Sequence, residues 1–206
     1  MKKIAIIGGS GFTQFSQNGL KFIQRHGNNV PPHKVNHKAN LLSCKEWGAD
    51  QIIGINSVGS LKKEIAPGHI VIPDDYIQLG SIDTFHDDSA IHVTPELNDE
   101  LRQLFIQGAK ILQLPVIENS IYFQTNGPRL ETKAEIRMIQ SFADIIGMTL
   151  GSEATLAKEL GIPYASICMV DNYANGVDGE NVSVDQIFDT QKENKVKLEQ
   201  LLREIL

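Results

Sequence analysis

The chain has 206 residues, of which 41% are hydrophobic and 21% charged, and its formal net charge is −6. These values are typical of one globular domain with a substantial core, so we expect a single domain over residues 1–206. Acidic and basic residues are interspersed without a basic stripe, which argues against nucleic acid as a partner. No apolar run approaches the roughly 20 residues of a membrane span, so no membrane partner is expected.

The cysteines and histidines indicate neither a disulfide framework nor a metal centre. Cys44 and Cys168 lie in apolar stretches without CxxC spacing, so we expect buried, reduced thiols in a cytoplasmic protein. The histidines show no HExxH spacing, and no metal site is predicted. The basic pair and short apolar stretch at the start are too short for a signal peptide and are interpreted as a first strand.

Short β-branched apolar segments alternate with helical patterns along the chain. The segment at residues 80–91 is polar and is predicted to be an exposed loop. The alternation predicts an α/β domain with a mixed central sheet flanked by helices. In chain order we predict strand Ile4–Ile7, helix Lys34–Trp47, strand Gln51–Ile55, strand His69–Ile72, helix Pro95–Leu114, strand Ser120–Gln124, helix Thr132–Phe142, strand Ile145–Met148, helix Ser152–Leu160, strand Tyr164–Val170 and helix Val184–Leu206.

Five polar or glycine-containing segments directly follow strand-like runs. In α/β sheets, ligands bind in the crevice outside the carboxyl ends of the strands. We therefore expect these segments to build one composite site. They are GGSGF at 8–12, NSVGS at 56–60, NGPRLET at 126–132, MTLGSE at 148–153 and DNYANG at 171–176.

Two of these segments have the composition of an oxyanion site. GGSGF supplies a tight turn, backbone N–H groups and the Ser10 hydroxyl, and NSVGS supplies Asn56 and Ser57 as donors. Arg25 and His26 add a guanidinium able to bind phosphate through two hydrogen bonds and an adjacent imidazole. Each piece alone is also typical of a strand-ending turn or a surface pair.

Glu131 and Asn172 together indicate recognition of a purine base. A carboxylate accepts a hydrogen bond from N1–H of a 6-oxopurine, and an amide can donate to O6 and accept from a protonated N7. Adenine has no N1–H and carries an amino group at C6, so the same pair suits it poorly. The alternatives are that Glu131 is a helix-start carboxylate favoured by the dipole and that Asn172 ends a strand in an Asx turn.

Together these segments resemble the trimeric purine nucleoside phosphorylases, and within them the branch of 5′-methylthioadenosine and methylthioinosine phosphorylases. The matching text includes IIGGSGF, RHG, NSVGSL, GPRLETKAEIRMI, ADIIGMT and NYANG, in the right order over nearly the whole chain. The resemblance implies a single nucleoside phosphorylase-like domain that splits a purine nucleoside with phosphate into free base and ribose 1-phosphate. It also implies phosphate as co-substrate, no metal or redox cofactor, and a homotrimer or dimer of trimers.

The resemblance also implies roles for the matching positions. Asn172 and Glu131 would be catalytic, binding the base, with Asn172 stabilising the leaving group. Phosphate would be bound by Ser10, Arg25, His26, Asn56, Ser57 and Thr149. The nucleoside would be bound by Leu130, Met148, Val184 and Ile187, and by His92 from a neighbouring subunit.

The same resemblance indicates which nucleoside the chain uses. Relatives that use methylthioadenosine have Asp at the position of Asn172 and a second Asp two residues later, where this chain has Ala174. The apolar Val184 and Ile187 suit a 5′-methylthio group better than a hydroxyl, which would need a partner. These features predict 5′-methylthioinosine, with inosine and guanosine as further substrates. The alternatives are a 5′-methylthioadenosine phosphorylase and a purine-binding member without catalysis.

The chain departs from the family at two places near the expected site. Only residues 13–24 connect GGSGF to RHG, so the sheet is predicted to be shortened near the N-terminus, with Phe22 and Ile23 in the strand before Arg25. Asp171 stands where the family has Thr or a small apolar residue. We expect it to place a carboxylate beside the base site.

Overall fold

The computed structural model of the protein describes residues 2–180 and 182–206. Within these residues, nine strands form one mixed sheet and five α-helices pack around it, which confirms the predicted fold class. The strands are β1 (Ile4–Gly8), β2 (Leu20–Gln24), β3 (Gln51–Ser60), β4 (Ile70–Val71), β5 (Asp75–Gln78), β6 (Val116–Ile117), β7 (Ile121–Gln124), β8 (Ile145–Gly147) and β9 (Tyr164–Tyr173). The helices are α1 (His37–Trp47), α2 (Asp99–Ile111), α3 (Lys133–Ile139), α4 (Leu150–Glu159) and α5 (Val184–Ile205).

Strand β3 is the centre of the sheet. Its first half is parallel to β1 and to β9, and its last two residues pair antiparallel with β8. The strand order is β5-β7-β8-β3-β9-β4-β6, with β1 on β3 and β2 on β1. Residues Gln51–Ile55 are buried on both faces, as expected for a strand covered by helices on both sides.

Helices cover both faces of the sheet and create two core layers. Leu41 of α1 and Leu156 of α4 pack in one cluster with Ile52 of β3. Phe105 of α2 and Leu201 of α5 pack in the other. Because the apolar strands are sandwiched in this way, their carboxyl ends are left as the place where polar segments meet.

The helix boundaries follow local capping chemistry. The Asn36 side chain accepts a hydrogen bond from the Ala39 N–H at 2.9 Å to begin α1, and Gly48 ends it in the left-handed region with φ 82°. Helix α3 begins with a capping box in which Thr132 and Glu135 satisfy each other's backbone N–H groups. This box fixes the chain immediately after Glu131.

Two predicted loops are instead parts of strands. The NSVGS segment was predicted as a turn, yet β3 continues through it to Ser60, and β9 continues past Val170 to Tyr173. The predictions are wrong because these segments pair with each other, and such pairing overrides local turn propensity. The register shifts after Val58, so Asp171 is the extra residue of a β-bulge.

The remaining predicted elements are present with shifted ends. Phe22 and Ile23 lie in β2, as predicted, and β2 pairs in parallel with β1. The short strands β5 and β6 were not predicted, because two to four residues give too little periodicity. Residues 80–91 form neither helix nor strand. Among the helices of the described residues, none has the length and apolar character needed to cross a membrane.

Candidate functional site

A cavity of about 400 Å³ lies where the polar ends of β1, β3, β8 and β9 meet the start of α5. All five of the segments predicted to build a composite site contribute lining residues. The size matches that of pockets for small organic ligands. The predicted site residues that line it are Ser10, Arg25, His26, Ser57, Leu130, Glu131, Met148, Thr149, Asn172 and Ile187.

Two of the predicted residues do not line this cavity. Asn56 is 2% exposed, and its amide donates to Thr149 Oγ1 at 2.8 Å while accepting from Ser166 Oγ at 2.7 Å. It therefore positions Thr149, which lines the cavity, from behind the cavity wall and does not itself reach the cavity. His92 is exposed and lies outside the cavity. The side chain of Val184 lies outside the part of the chain that is described.

Glu131 is held at the cavity wall by neighbours on both sides. The Thr125 hydroxyl donates to its carboxylate at 2.6 Å, and Asn175 Nδ2 donates to its main-chain carbonyl at 3.3 Å. Glu131 lies one residue before Thr132, the N-cap of α3, and the carboxylate that completes the capping box is that of Glu135. Glu131 is thus 9% exposed and lines the cavity.

The bulge in β9 brings Asn172 to the cavity. Asn172 pairs with Gly59 of β3 just after the register shift. Nδ2 donates to the Tyr173 carbonyl at 2.7 Å. The alternative of an Asx turn is wrong, because Asn172 is part of the strand.

The loop after β1 is shaped by a buried aromatic ring. The Phe12 N–H donates to the Gly9 carbonyl at 3.1 Å, and Phe12 is 1% exposed while Ser10 reaches the cavity. A Cβ on Gly9 would collide with Nη1 of Arg25 and come within 2.7 Å of the Ile55 carbonyl oxygen. The glycine is therefore needed for the close packing of Arg25 beneath the loop.

Arg25 makes its bidentate contact with protein, not toward the cavity. Its Nε and Nη2 donate to the two carboxylate oxygens of Glu153 at 2.5 and 2.9 Å, and Nη1 donates to the Ile55 carbonyl at 2.7 Å. Glu153 therefore occupies the edge of the guanidinium that a two-bond contact with phosphate would use. The Arg25 guanidinium that borders the cavity therefore has its positive charge largely compensated by the Glu153 carboxylate.

The electrostatics of this pair follow from its burial. Glu153 is fully buried and also accepts from the Tyr164 hydroxyl at 2.9 Å. Burial alone would raise the pKa of Glu153, but the charge and hydrogen bonds of Arg25 outweigh it and lower the pKa to about 2. Both groups are therefore charged at neutral pH.

His26 presents a defined tautomer. Its Nδ1 lies 2.8 Å from the Val30 carbonyl oxygen, and because a carbonyl can only accept, Nδ1 carries the proton. Burial lowers the pKa of His26, and the nearby charge of Arg25 lowers it further. A neutral ring of this tautomer has a lone pair, not an N–H, on Nε2.

Apolar side chains of α5 and the opposite loop close the other end of the cavity. Ile187 and Phe188 contribute from the first turns of α5, and Leu130 and Met148 from the facing segments. Phe188 and Gln191 were not among the predicted site residues. They lie one and four positions after Ile187, so helical periodicity would have placed Gln191 on the same face.

The structure also shows where the two cysteines and Asp171 lie and whether side chains cluster as metal ligands would. Cys44 and Cys168 are both buried and free. Within residues 2–180 and 182–206, no cluster of three or more His, Cys, Asp or Glu side chains has an arrangement that could hold a metal ion. Asp171 was expected beside the base, but its side chain turns toward α5 and does not line the cavity.

The chain is similar in sequence to a known protein family and to several of its members. The family model described as "Phosphorylase superfamily" matches residues 3–206. A protein of Archaeoglobus fulgidus named "Probable 6-oxopurine nucleoside phosphorylase" is 48% identical over 178 residues, which cover 85% of this chain and 73% of the relative. A "Probable S-methyl-5′-thioinosine phosphorylase" of Methanopyrus kandleri is 34% identical, over 98% of this chain and 91% of the relative.

Solved structures give the same picture of the fold. The methylthioadenosine phosphorylase of Schistosoma mansoni, solved in complex with adenine, superposes with a TM-score of 0.89 at 25% identity. The match covers 100% of this chain and 91% of that one.

Proposed function

Since this chain belongs to the phosphorylase superfamily, we propose that it catalyses phosphorolysis of a 6-oxopurine nucleoside. Phosphate attacks C1′ of the sugar, the N9–C1′ bond breaks, and the products are the free base and a ribose 1-phosphate. The preferred substrate is 5′-methylthioinosine, with inosine and guanosine as further substrates, and the role is purine salvage. The names of the two relatives from Archaeoglobus and Methanopyrus support this choice.

One observation carries the proposal. A single cavity is lined at once by a carboxylate and an amide, Glu131 and Asn172, and by the hydroxyls of Ser10, Ser57 and Thr149. The first pair suits a purine edge, and the hydroxyls with the backbone of the β1 loop suit an oxyanion. Holding both reactants in one cavity is itself a large part of catalysis.

The base-binding pair supplies the chemical step. As the N9–C1′ bond breaks, negative charge develops on the purine and positive character on the sugar. Asn172 stabilises that charge by donating to O6 and by accepting from N7 once N7 is protonated, and Glu131 accepts from N1–H. Because Asn172 and Ala174 stand where relatives that use methylthioadenosine have Asp, the site lacks a carboxylate at either position to accept from the 6-amino group of adenine.

The apolar end of the cavity supports the 5′-methylthio preference. Ile187, Phe188 and Leu130 line it, and a buried 5′-hydroxyl would need a hydrogen-bond partner that these side chains do not offer. Met148 lies beside Thr149, where the sugar joins the phosphate.

The proposal includes phosphate as co-substrate, no metal or redox cofactor, a cytoplasmic location and a homotrimer or dimer of trimers. Two buried free thiols support a reducing compartment. Exposed apolar side chains in and beside α3 support assembly: Leu130 is 44% exposed, Met138 60% and Phe142 65%. In such an assembly His92 reaches the cavity of a neighbouring copy.

The test is release of hypoxanthine from 5′-methylthioinosine by purified, folded protein, with and without phosphate. We expect release that depends on phosphate and is at least about tenfold faster than release of adenine from 5′-methylthioadenosine, because mismatched polar contacts in a desolvated site are costly. Absence of phosphate-dependent release, with folding verified by circular dichroism, would contradict the proposal.

A second candidate is phosphorolysis of 5′-methylthioadenosine. The similarity to the Schistosoma enzyme, solved with adenine, favours it. The same assay separates the two candidates, because faster release of adenine than of hypoxanthine would reverse the assigned preference.

A further inference from the structure

Asp171 is a buried carboxylate directly behind the anion-binding end of the cavity. It is the extra residue of the β9 bulge and is 2% exposed. It does not line the main cavity, but with Ser10 and Ser57 it borders a small void of about 10 Å³ behind it. A bulge re-aims the side chain of its extra residue, here toward β3 and α5.

All contacts of this carboxylate come from hydrogen-bond donors. The Ser57 hydroxyl and Gln191 Nε2, the latter at 3.0 Å, donate to Oδ2, and Asn194 Nδ2 donates to Oδ1 at 2.7 Å. Burial raises the pKa of Asp171, while these three donors oppose the rise. An arrangement of donors alone matches an ionised carboxylate, which can only accept.

The contact with Asp171 decides what Ser57 can offer to an anion. Ser57 has one hydroxyl hydrogen and uses it in the hydrogen bond that it donates to Asp171. Gln191 Nε2, 3.2 Å from Ser57 Oγ, donates a hydrogen bond to that oxygen. The side of Ser57 that faces the cavity therefore presents a lone pair. An oxyanion placed there gains nothing from Ser57 unless one of its own oxygens carries a proton.

Two neighbouring groups, His26 and Arg25, also make this end of the cavity less favourable for an anion that carries no proton. His26 uses its Nδ1–H on the Val30 carbonyl, so its neutral ring has only a lone pair left. The positive charge of Arg25 is compensated by Glu153. The anion end is thus poor in free positive charge and contains acceptors, which is unfavourable for a fully deprotonated dianion.

We propose that Asp171, acting through Ser57, is a positioning residue that makes the anion site select an oxyanion bearing a proton. This inference rests on the proposed function and specifies the form of its co-substrate. Phosphate and arsenate carry a proton at neutral pH, and their P–OH or As–OH group donates to Ser57 Oγ. Sulfate carries none, so an oxygen of sulfate would face the Ser57 lone pair without a hydrogen between them.

The first experiment measures binding of inorganic phosphate and of sulfate to the wild-type protein by calorimetry at neutral pH. We expect phosphate to bind at least about tenfold more tightly, as loss of a hydrogen bond to a buried polar group predicts. Equal affinities would overturn the inference. Because this readout needs no turnover, it stands apart from the hypoxanthine assay.

Asp171→Asn tests the positioning role. An amide at this position can donate to Ser57 Oγ, which frees the Ser57 hydroxyl to donate into the cavity. We expect the preference for phosphate over sulfate to fall by at least about fivefold, through tighter sulfate binding. Asp178→Asn removes the same charge from an exposed position and should leave the preference unchanged. An unchanged preference in Asp171→Asn would overturn the inference.

Ser57→Ala provides a second variant should Asp171→Asn fail to fold. If Ser57 Oγ accepts a hydrogen bond from the anion, its loss weakens phosphate binding and leaves sulfate binding unchanged. If Ser57 were an ordinary donor, both affinities would fall together and the inference would be wrong. Phosphate-dependent hypoxanthine release with equal phosphate and sulfate binding would refute only this inference. Anion selectivity without any release would refute only the proposed function.

Discussion

At the bulge of β9, two consecutive polar side chains take different directions. The Asp171 carboxylate accepts hydrogen bonds from Ser57 and from side chains of α5, whereas Asn172 lines the cavity and pairs with Gly59. In a regular strand, neighbouring residues also alternate, but the extra residue changes which of them faces the ligand. The specificity of the site therefore depends on a local irregularity of the backbone.

Asn172→Asp is expected to reverse the base preference. A carboxylate cannot donate to O6 and would repel negative charge on the departing 6-oxopurine. We expect kcat/KM for 5′-methylthioinosine to fall by about 10- to 100-fold, with a relative gain for 5′-methylthioadenosine. The measurement is steady-state kinetics with both nucleosides.

The matched control is Asn18→Asp, which makes the same substitution in an exposed turn. It should leave both rates unchanged. A similar loss in both variants, or no change of preference in Asn172→Asp, would show that Asn172 does not contact the base.

At the scale of secondary structure, the capping box of α3 is the element that fixes Glu131. Thr132 Oγ1 accepts from the Glu135 N–H at 3.2 Å, and the Glu135 carboxylate accepts from the Thr132 N–H at 2.7 Å. Arg129 adds a two-bond contact to the same carboxylate, at 2.7 and 2.8 Å. The loop between β7 and α3 is therefore anchored at its helical end.

Thr132→Ala is expected to loosen this anchor. Loss of an N-cap hydroxyl costs about 1 kcal/mol in the free energy of unfolding. We also expect a several-fold higher KM for the nucleoside, because Glu131 is the preceding residue. Urea denaturation and steady-state kinetics provide the measurements. Thr94→Ala, at an exposed position, serves as control, and equal behaviour of the two variants would contradict the prediction.

At the scale of the whole molecule, the Arg25–Glu153 pair ties together parts of the chain that are 128 residues apart. Arg25 follows β2, Glu153 lies in α4, and the Tyr164 hydroxyl of β9 completes the contact. The pair is fully enclosed between the sheet and α4. Removing one partner leaves a buried charge without compensation.

Glu153→Gln is therefore expected to lower the free energy of unfolding by about 3–5 kcal/mol at neutral pH. The pKa of Glu153 in the folded protein, about 2, lies below its ordinary value of 4.5. The contribution of the carboxylate is hence fully present above about pH 5 and is lost as the pH falls from 4.5 toward 2. The difference in unfolding free energy between wild type and variant should shrink over this range.

Urea denaturation at several pH values measures that difference. Glu100→Gln, whose side chain is 81% exposed and lies 3.6 Å from Lys2, is the control, with an expected change of about 0–1 kcal/mol. A pH-independent difference for Glu153→Gln would mean that Glu153 is not charged in the folded protein.

The α/β class, most helices and strands, and the set of segments that meet at the cavity could all be predicted from the amino-acid sequence. These features are local, because apolar runs, caps and turn residues act over a few positions. The family resemblance adds that the motifs occur in the family's order along the chain. The predicted helices α1 to α5 are all present, because amphipathic patterns and capping residues such as Asn36 and Thr132 act within one turn.

The ends of β3 and β9, and the directions of their polar side chains, could not be predicted in this way because they depend on packing between distant parts of the chain. Pairing between distant strands extended both of them beyond their apolar runs and created the bulge at Asp171. Packing also brought together charged and polar side chains that are far apart in the sequence. Glu153 accepts two hydrogen bonds from Arg25, and Asp171 accepts one from the Ser57 hydroxyl. A buried polar group must find a partner wherever the fold brings one, so its partner depends on the packing of the whole chain.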